Sequence, residues 1–363
     1  MKRIGKGVIV ILAVMIVALG VYAGYLLLGF HRLPDNLTLE VNTSGEADSF
    51  DDSFEVEPDK AYRIMTYNIG FGAYVPEFSF FMDGGKSSWA KDEESVLATV
   101  SAAGAMVREQ APDFVLLQEV DRDGTRSYHV DELEILNRFI TGYEYHFAQN
   151  YDSPYLFFPP WEPHGTNVAG LVTYSKGQIQ EAVRRSLPIS ESLTKFMDLD
   201  RCYSISRIPM QDGHFLCLYN VHLAAYGSSA EVREGQLTML YTDMTADYEK
   251  GNYVICGGDY NHNVKEESPA DAPEWAHTFP RETIPEGFDM AINYAQSAEQ
   301  IAHNSCRSAA EPYQEGKTFT ITLDGFIVSD NVKVTDYRHM DLGYQYSDHD
   351  PVVMEFTLDA QEE

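Results

Sequence analysis

The feature that most constrains the fold of this chain is a series of short apolar runs that begins near residue 61. They read RIMTYNI, FVLLQEV, VAGLVTYS, FLCLYNVHL, YVICGGDYN, TLDGFIVS and PVVMEFTL, each bounded by turn residues. Runs of this length and texture are buried strands by pattern. Helical patterns lie between several of them. Residues 92–109 open on acids and close on Arg108, the charge order that the helix dipole favours. Residues 228–248 form a second predicted helix, with Ser228 placed to cap it and Glu231 three positions on. No internal repeat of about 20–50 residues is present. Strands that outnumber helices and mix with them along the chain predict an α/β domain with sheets at its centre.

Residues 7–30 carry no charged side chain. As a helix rising about 1.5 Å per residue, the run is long enough to cross a hydrocarbon core about 30 Å thick. Lys2, Arg3 and Lys6 precede it, which places the N-terminus in the cytoplasm and the body outside, a single-pass protein of the cell membrane. The rival reading is a cleaved signal peptide, with a small-residue site at Val21-Tyr22-Ala23. The apolar run continues seven residues past that site, longer than a cleavable core of about 7–15 residues usually is. The expected organisation is a cytoplasmic tip and anchor over 1–32, an acidic linker over 33–60 and a catalytic domain over 61–363. The linker has too few apolar side chains to build a core of its own, although Leu37, Leu39 and Val41 alternate as one short strand would.

The net charge is -30, and the first 32 residues contribute only basic groups to it. So acidic a body repels polyanions at long range, which disfavours tight nonspecific binding to nucleic acid without excluding a nuclease. Cys202, Cys217, Cys256 and Cys306 lack metal-ligand spacing. A turn at Gln211-Asp212-Gly213 would pair Cys217 with about residue 207, so a Cys202–Cys217 disulfide is not expected. Buried free thiols are.

Polar residues recur at the strand ends: Asn68, Gln118 and Glu119, Asn220 and His222, Asp259 and Asn261, Asp324, then Asp348 and His349. Each one alone reads as a turn former or a hydrogen-bonded core residue. Together they mark the place where ligand sites gather in α/β sheets. Carboxylates with amide oxygens suit Mg²⁺, or Mn²⁺, better than zinc. Two histidines with acidic partners suit acid–base work and charge stabilisation at a phosphate. There is no G-x-x-x-x-G-K-[ST], H-E-x-x-H or G-x-S-x-G motif.

Taken in order, TYNI, LLQEV, NVHL, GGDYN, LDGFIVS and SDHDPV resemble the endonuclease/exonuclease/phosphatase superfamily over about residues 61–358. The resemblance implies a four-layer α/β sandwich, two central mixed sheets flanked by helices. It implies Glu119 as the main metal ligand, with Asn68 and Asp348 near the ion. Asp259 would orient or deprotonate the attacking water, and Asn261 would position it or the phosphate. His349, oriented by Asp324, would stabilise the phosphorane or act as the acid/base, and His222 would be a second active-site histidine. The chain departs from the abasic-site branch at Gly70, where an acidic residue is expected, and NVHL favours the phosphodiesterase and phosphatase branches.

Segments 78–90, 155–165 and 303–317 read as insertions around the pocket, either packed on the body or forming a pocket or membrane-facing rim. Within them Lys86, His164 and Arg307 are candidate phosphate or head-group contacts. The expected partners are a phosphate-ester substrate and a membrane met through residues 7–30, with no obligate protein partner. Three functions follow: a phosphoesterase acting on a phospholipid or small organic phosphate, an extracellular deoxyribonuclease or ribonuclease, and a non-catalytic binding module of the same fold.

Overall fold

The computed structural model describes residues 2–46, 50–190, 199–224, 229–269, 272–273 and 275–360. The chain begins with helix α1 (Lys2–Gly29), followed by β1 (Leu37–Thr38), β2 (Asn42–Thr43), β3 (Tyr62–Asn68), α2 (Glu93–Gln110), β4 (Phe114–Gly124) and α3 (Glu132–Phe139). It continues as β5 (Glu144–Asp152), β6 (Asn167–Ser175), β7 (Glu181–Ser186), β8 (Cys202–Pro209), β9 (Phe215–His222), α4 (Ala230–Tyr248), β10 (Tyr253–Asp259) and β11 (Phe288–Met290). The last strands are β12 (Cys306–Arg307), β13 (Thr320–Ile321), β14 (Asp324–Ser329), β15 (Val332–His339) and β16 (Val352–Leu358).

Two mixed seven-stranded sheets form the centre, in the orders β15-β16-β3-β4-β6-β5-β2 and β1-β7-β8-β9-β10-β14-β11. Each contains a parallel pair, β3 with β4 and β9 with β10, among antiparallel neighbours. The strands are buried on both faces, which is why their sequences read as continuous apolar runs. Ile64, Phe114 and Leu116 point into the core shared with the second sheet, while Met65, Val115 and Leu117 point the other way, beneath Val96, Val100 and Leu136 of α2 and α3. Helix α4 packs Leu237, Leu240 and Met244 against the second sheet. Two sheets with helices outside are the expected sandwich.

Helix α2 begins where its sequence indicates, and α4 takes its cap from Ser229. Asp92 accepts from Ser95 N at 2.7 Å, and Ser229 accepts from Val232 N at 3.3 Å. Ser228, the expected cap of α4, lies outside the described residues. The β8–β9 register sets Arg207 opposite Cys217, and all four cysteines are free and buried.

Stretch 33–60 differs from a plain linker. β1 adds to β7 at the edge of one sheet and β2 adds to β5 at the edge of the other. Main-chain hydrogen bonds make these additions, so the stretch needs no core of its own. The chain is also clamped directly after α1: Arg32 pairs with Asp200 at 2.6 Å and donates to Leu187 O at 2.7 Å, and Asp35 accepts from Arg185 Nε at 3.0 Å. Helix α1 itself is unburied over Lys6–Gly29, so it is not a core helix of this body. Its length and hydropathy fit a membrane span or a signal sequence alike.

The GGD segment of β10 tolerates no side chain at its second glycine. Gly258 has φ 147°, and a Cβ there would lie 2.0 Å from Val221 O on the adjacent strand. Gly258→Ala is expected to cost about 4 kcal/mol in urea unfolding, because strain and a backbone clash act together. An unchanged midpoint would show that β9 and β10 separate there at little cost.

Candidate active site

The two parallel pairs end at the same place. In the first sheet Asn68 is opposite Gln118; in the second Asp259 is opposite both His222 and Asp324. Backbone register alone therefore gathers three of the expected residues, Asp259, His222 and Asp324, and Asn68 meets them across the two sheets. β16 runs antiparallel to β3, so the turn before it returns Asp348 and His349 to the same end. Glu119 sits where the β4–β6 register shifts, with φ 54°. A bulge of this kind re-aims a side chain, and this one turns Glu119 toward Asn68, whose Nδ2 donates to it at 3.1 Å. The neighbouring Gln118 and Asn220 join the sheets by a 2.8 Å bond instead, and Asn220 also donates to Leu117 O and Val172 O.

Asp259 is the hub. Its Oδ2 accepts from Asn68 Nδ2 at 3.1 Å and its Oδ1 from Asn261 N at 2.8 Å. The imidazole Nε2 atoms of His222 and His349 lie 3.6 and 3.8 Å from Oδ2. Asn261 donates its Nδ2 to Leu223 O at 2.9 Å, which fixes the amide plane. His349 Nδ1 bonds Asp324 Oδ2 at 2.7 Å, and Ser305 Oγ donates to the same oxygen at 2.7 Å. With Nδ1 so engaged, Nε2 is the atom His349 presents to Asp259 and the cavity.

The two histidines carry different charge. Burial opposes a proton on His349, but the Asp324 carboxylate, with Asp259 nearby, outweighs it and raises the imidazole well above its usual value. Burial, then the Arg201 charge, pushes His222 well below it. His222 Nδ1 is buried without a hydrogen bond among the described residues, while Nε2 faces two carboxylates. An unmet acceptor costs less than an unmet donor, so the surroundings assign the proton to Nε2. Burial, and then the Asp324 charge against the counteracting His349, raises Asp259 above the carboxylate range.

These groups open into one cavity of about 480 Å³ with a largely apolar and aromatic wall that includes Phe71, Tyr74, Phe80 and Trp275. Among the three candidate substrate contacts, Lys86 is exposed and does not line this cavity. His164 lines the cavity and bonds Ser88 Oγ at 2.9 Å, but burial and then Arg126 push it down to about 3, so it supplies no positive charge. Arg307 also lines the cavity, with its guanidinium spread over Ser308 O, Tyr74 O and Val75 O. It arrives there because Arg307 N donates to Asp348 O at 2.8 Å.

Asp83, from the aromatic segment 78–90, lines the same wall. Burial, then the charges of Asp348 and Glu119, pushes it up to about 7. Asp348 is in turn pushed up to about 6, by burial first, with Glu119 adding to it and His349 opposing. Glu119, Asp348 and Asp83 thus face one region in which their charges repel. Hard oxygens with Asn68 beside them are the donor type a divalent cation takes, although the ligand atoms of these three carboxylates do not all lie within 4.8 Å of one another as the side chains stand. Asp259, Asp324 and His349 approach closely enough to hold an ion. The 2.7 Å bond between His349 Nδ1 and Asp324 Oδ2 already joins two of these atoms, an arrangement that suits proton handling as well as ion binding.

A family model described as Endonuclease/Exonuclease/phosphatase family matches residues 65–349, which spans every residue of this cluster. The chain belongs to that family. Solved structures agree on the fold of the family domain. An endonuclease/exonuclease/phosphatase from Beutenbergia cavernae superposes with TM-score 0.58 at 16% identity, over 83% of this chain and 72% of that one. A family protein from Leptotrichia buccalis gives TM-score 0.54 at 14% identity, over 82% of this chain and 100% of that one. D. rerio TDP2, complexed with single strand DNA product, gives TM-score 0.52 at 15% identity, over 82% and 100%. No curated protein matches the sequence. Family members are typically metal-dependent hydrolases of phosphoesters. The departure at Gly70 has a local cause: with φ 55°, a Cβ there would lie 2.7 Å from the Tyr74 ring and 3.2 Å from Asp348 Oδ1. An acidic side chain does not fit against that carboxylate.

Proposed function

We propose that this protein is a divalent-metal-dependent phosphoesterase held outside the cytoplasm by α1, acting on a phosphodiester or phosphomonoester of a phospholipid or small organic phosphate. The observation that carries the reading is the continuous chain Ser305–Asp324–His349–Asp259–Asn68–Glu119 at one end of both sheets. Glu119, Asn68 and Asp348, joined by Asp83, would hold Mg²⁺ or Mn²⁺. Such an ion neutralises charge on a phosphoryl or leaving oxygen. The remaining steps belong to the chain. Asp259, raised toward neutrality, accepts a proton from the attacking water, and Asn261 orients that water or the phosphate. Attack is in line. Cationic His349, kept charged by Asp324, donates toward the phosphoryl oxygen on which negative charge develops. Neutral His222 donates its Nε2 proton on the same side.

A nuclease uses the same groups, and the DNA-product complex of TDP2 keeps that reading alive. The arginines speak against it. Arg122 pairs with Asp131, Arg126 with Asp121, Arg184 with Asp200, Arg185 with Asp243 and Arg207 with Asp247. Five cations so committed are withdrawn from the phosphate contacts that nucleic-acid affinity requires, while Arg201 and Arg307 line the cavity itself.

The test is a substrate screen of the full chain in detergent or lipid discs, with Mg²⁺ or Mn²⁺, against sphingomyelin, phosphatidylinositol phosphates, DNA, RNA and bis-p-nitrophenyl phosphate. Turnover of a lipid or small ester, reduced about 10³-fold or more in Glu119→Ala, is the expected result. Turnover of nucleic acid alone would select the nuclease. Failure on every substrate would leave a binding module.

A further inference from the structure

Outside α1, six large apolar side chains of the described residues are exposed: Met82, Leu97, Phe157, Phe158, Trp161 and Tyr294. Four of them fall on two adjoining segments, 78–90 and 155–165, with Phe157 59%, Phe158 51%, Trp161 71% and Met82 47% exposed. Soluble surfaces scatter such groups singly, and a contiguous patch marks an interaction site. The two segments are one body: the Phe81 and Phe158 rings lie 5.8 Å apart, and Trp89 Nε1 donates to Pro163 O at 2.8 Å. Their inner side chains, Phe80, Asp83 and His164, line the catalytic cavity. The patch is therefore the outer lip of that cavity.

The same lip is fastened to α1. Tyr22 OH donates to Tyr155 O at 3.2 Å and accepts from Phe157 N at 3.1 Å, and Tyr25 OH accepts from Tyr155 N at 2.9 Å. The rings of Tyr22 and Phe157 meet edge to face at 5.3 Å. Tyr22 precedes the helix end at Gly29 by seven residues, about 10 Å along the axis. Phe157 thus lies beside the last two turns of α1, not beyond its end. The uncharged run 7–30 is about 36 Å long as a helix against a hydrocarbon core of about 30 Å, so its last turn falls in the interfacial layer where Tyr and Trp gather. A side chain one to two turns below the helix end then sits about 5–10 Å deep, the depth of interfacial insertion. The clamp of Arg32 on Asp200 and Leu187 O leaves no slack to lift the body away.

We propose that Met82, Phe157, Phe158 and Trp161 form a membrane-inserting rim that seats the mouth of the catalytic cavity on the leaflet from which α1 emerges, so that the substrate is a lipid phosphoester drawn from the bilayer itself. This rests on the reading of α1 as a span and deepens the phosphoesterase reading from small esters to lipids. The rim segments carry Lys86 as their only Lys or Arg, so insertion is apolar and does not depend on anionic lipid.

The experiment uses the full chain in phosphatidylcholine discs. The native thiols are buried, so a Trp161→Cys variant accepts a single NBD label. Emission shifted to the blue, quenched by lipids doxyl-labelled high on the acyl chain and protected from iodide, is expected. A label at Tyr294→Cys, just past β11 on the sheet edge opposite β1, reports water. A Trp161 label that behaves like the one at 294, or a mature chain that lacks α1, would overturn the proposal. A Phe157→Ser/Trp161→Ser double variant is expected to lose about tenfold or more on lipid in the discs and to stay within about twofold on bis-p-nitrophenyl phosphate. Equal losses on both would also overturn it. If the wild type hydrolyses neither, the phosphoesterase reading fails, and the label still decides the rim.

Discussion

His349→Ala is expected to lower kcat on a phosphoester by about 10³ to 10⁴, the range for a lost acid–base and charge-stabilising group. Asp324→Asn is expected to cost about 10² to 10³ and, more tellingly, to move the pH profile. Asp324 is what keeps His349 protonated against its burial. With the carboxylate gone the imidazole value falls, so an activity that needs cationic His349 is lost at lower pH on the alkaline side. The asparagine oxygen can still accept from Nδ1, so the ring stays oriented while its charge is weakened. Combining the two substitutions adds little to His349→Ala alone, because both act through one imidazole. The check is kcat against pH for the three variants on one substrate. A uniform loss in Asp324→Asn, with no shift of the alkaline limb, would reduce Asp324 to scaffolding.

Chelating divalent ions is expected to lower the thermal midpoint by about 6 °C at pH 8 and to change it little at pH 5. Asp348 and Asp83 are raised to about 6 and about 7. A carboxyl raised by folding favours the folded state most below its unfolded value near 4, and that advantage is lost as pH rises through the folded value. At pH 8 both are ionised beside Glu119, and the metal-free site is at its least stable. For Asp348 alone a shift of about two pH units corresponds to about 3 kcal/mol, or about 6 °C in a domain of this size. A cation that binds these carboxylates removes the penalty, and at pH 5, where they are largely protonated, it has little to remove. Thermal melts with and without EDTA at the two pH values decide the matter. Equal effects at both would place the ion elsewhere.

The sheet framework was legible because its strands are buried on both faces and end in polar residues. Asn68, Asp259, Asp324 and His349 could be picked from the apolar runs they close or open, and the register brings them together. What the pattern does not encode is which way a loop side chain turns. In segment 78–90 charge alone pointed to Lys86, yet Asp83 is the residue that reaches the cavity. Ser305, which fixes Asp324, has no sequence signal at all: it is a serine in a polar segment until the chain pairs residues 305–307 with 348–350. By composition stretch 33–60 reads as a linker with one short alternation at Leu37, Leu39 and Val41. Composition reports on side chains, whereas β1 and β2 join the sheets through backbone groups.

The three-way register at Asp259 has a further consequence. His222 and Asp324 are its partners across two hydrogen-bond ladders, so the spacing of the reacting groups is set by the pitch of the sheet. The lip of the cavity is built from loops that hang on those ladders without being part of them. The lip and the groups beneath it are thereby separable parts of this scaffold: the lip is free to change over evolutionary time, or to be exchanged by design, while the spacing beneath it stays the same.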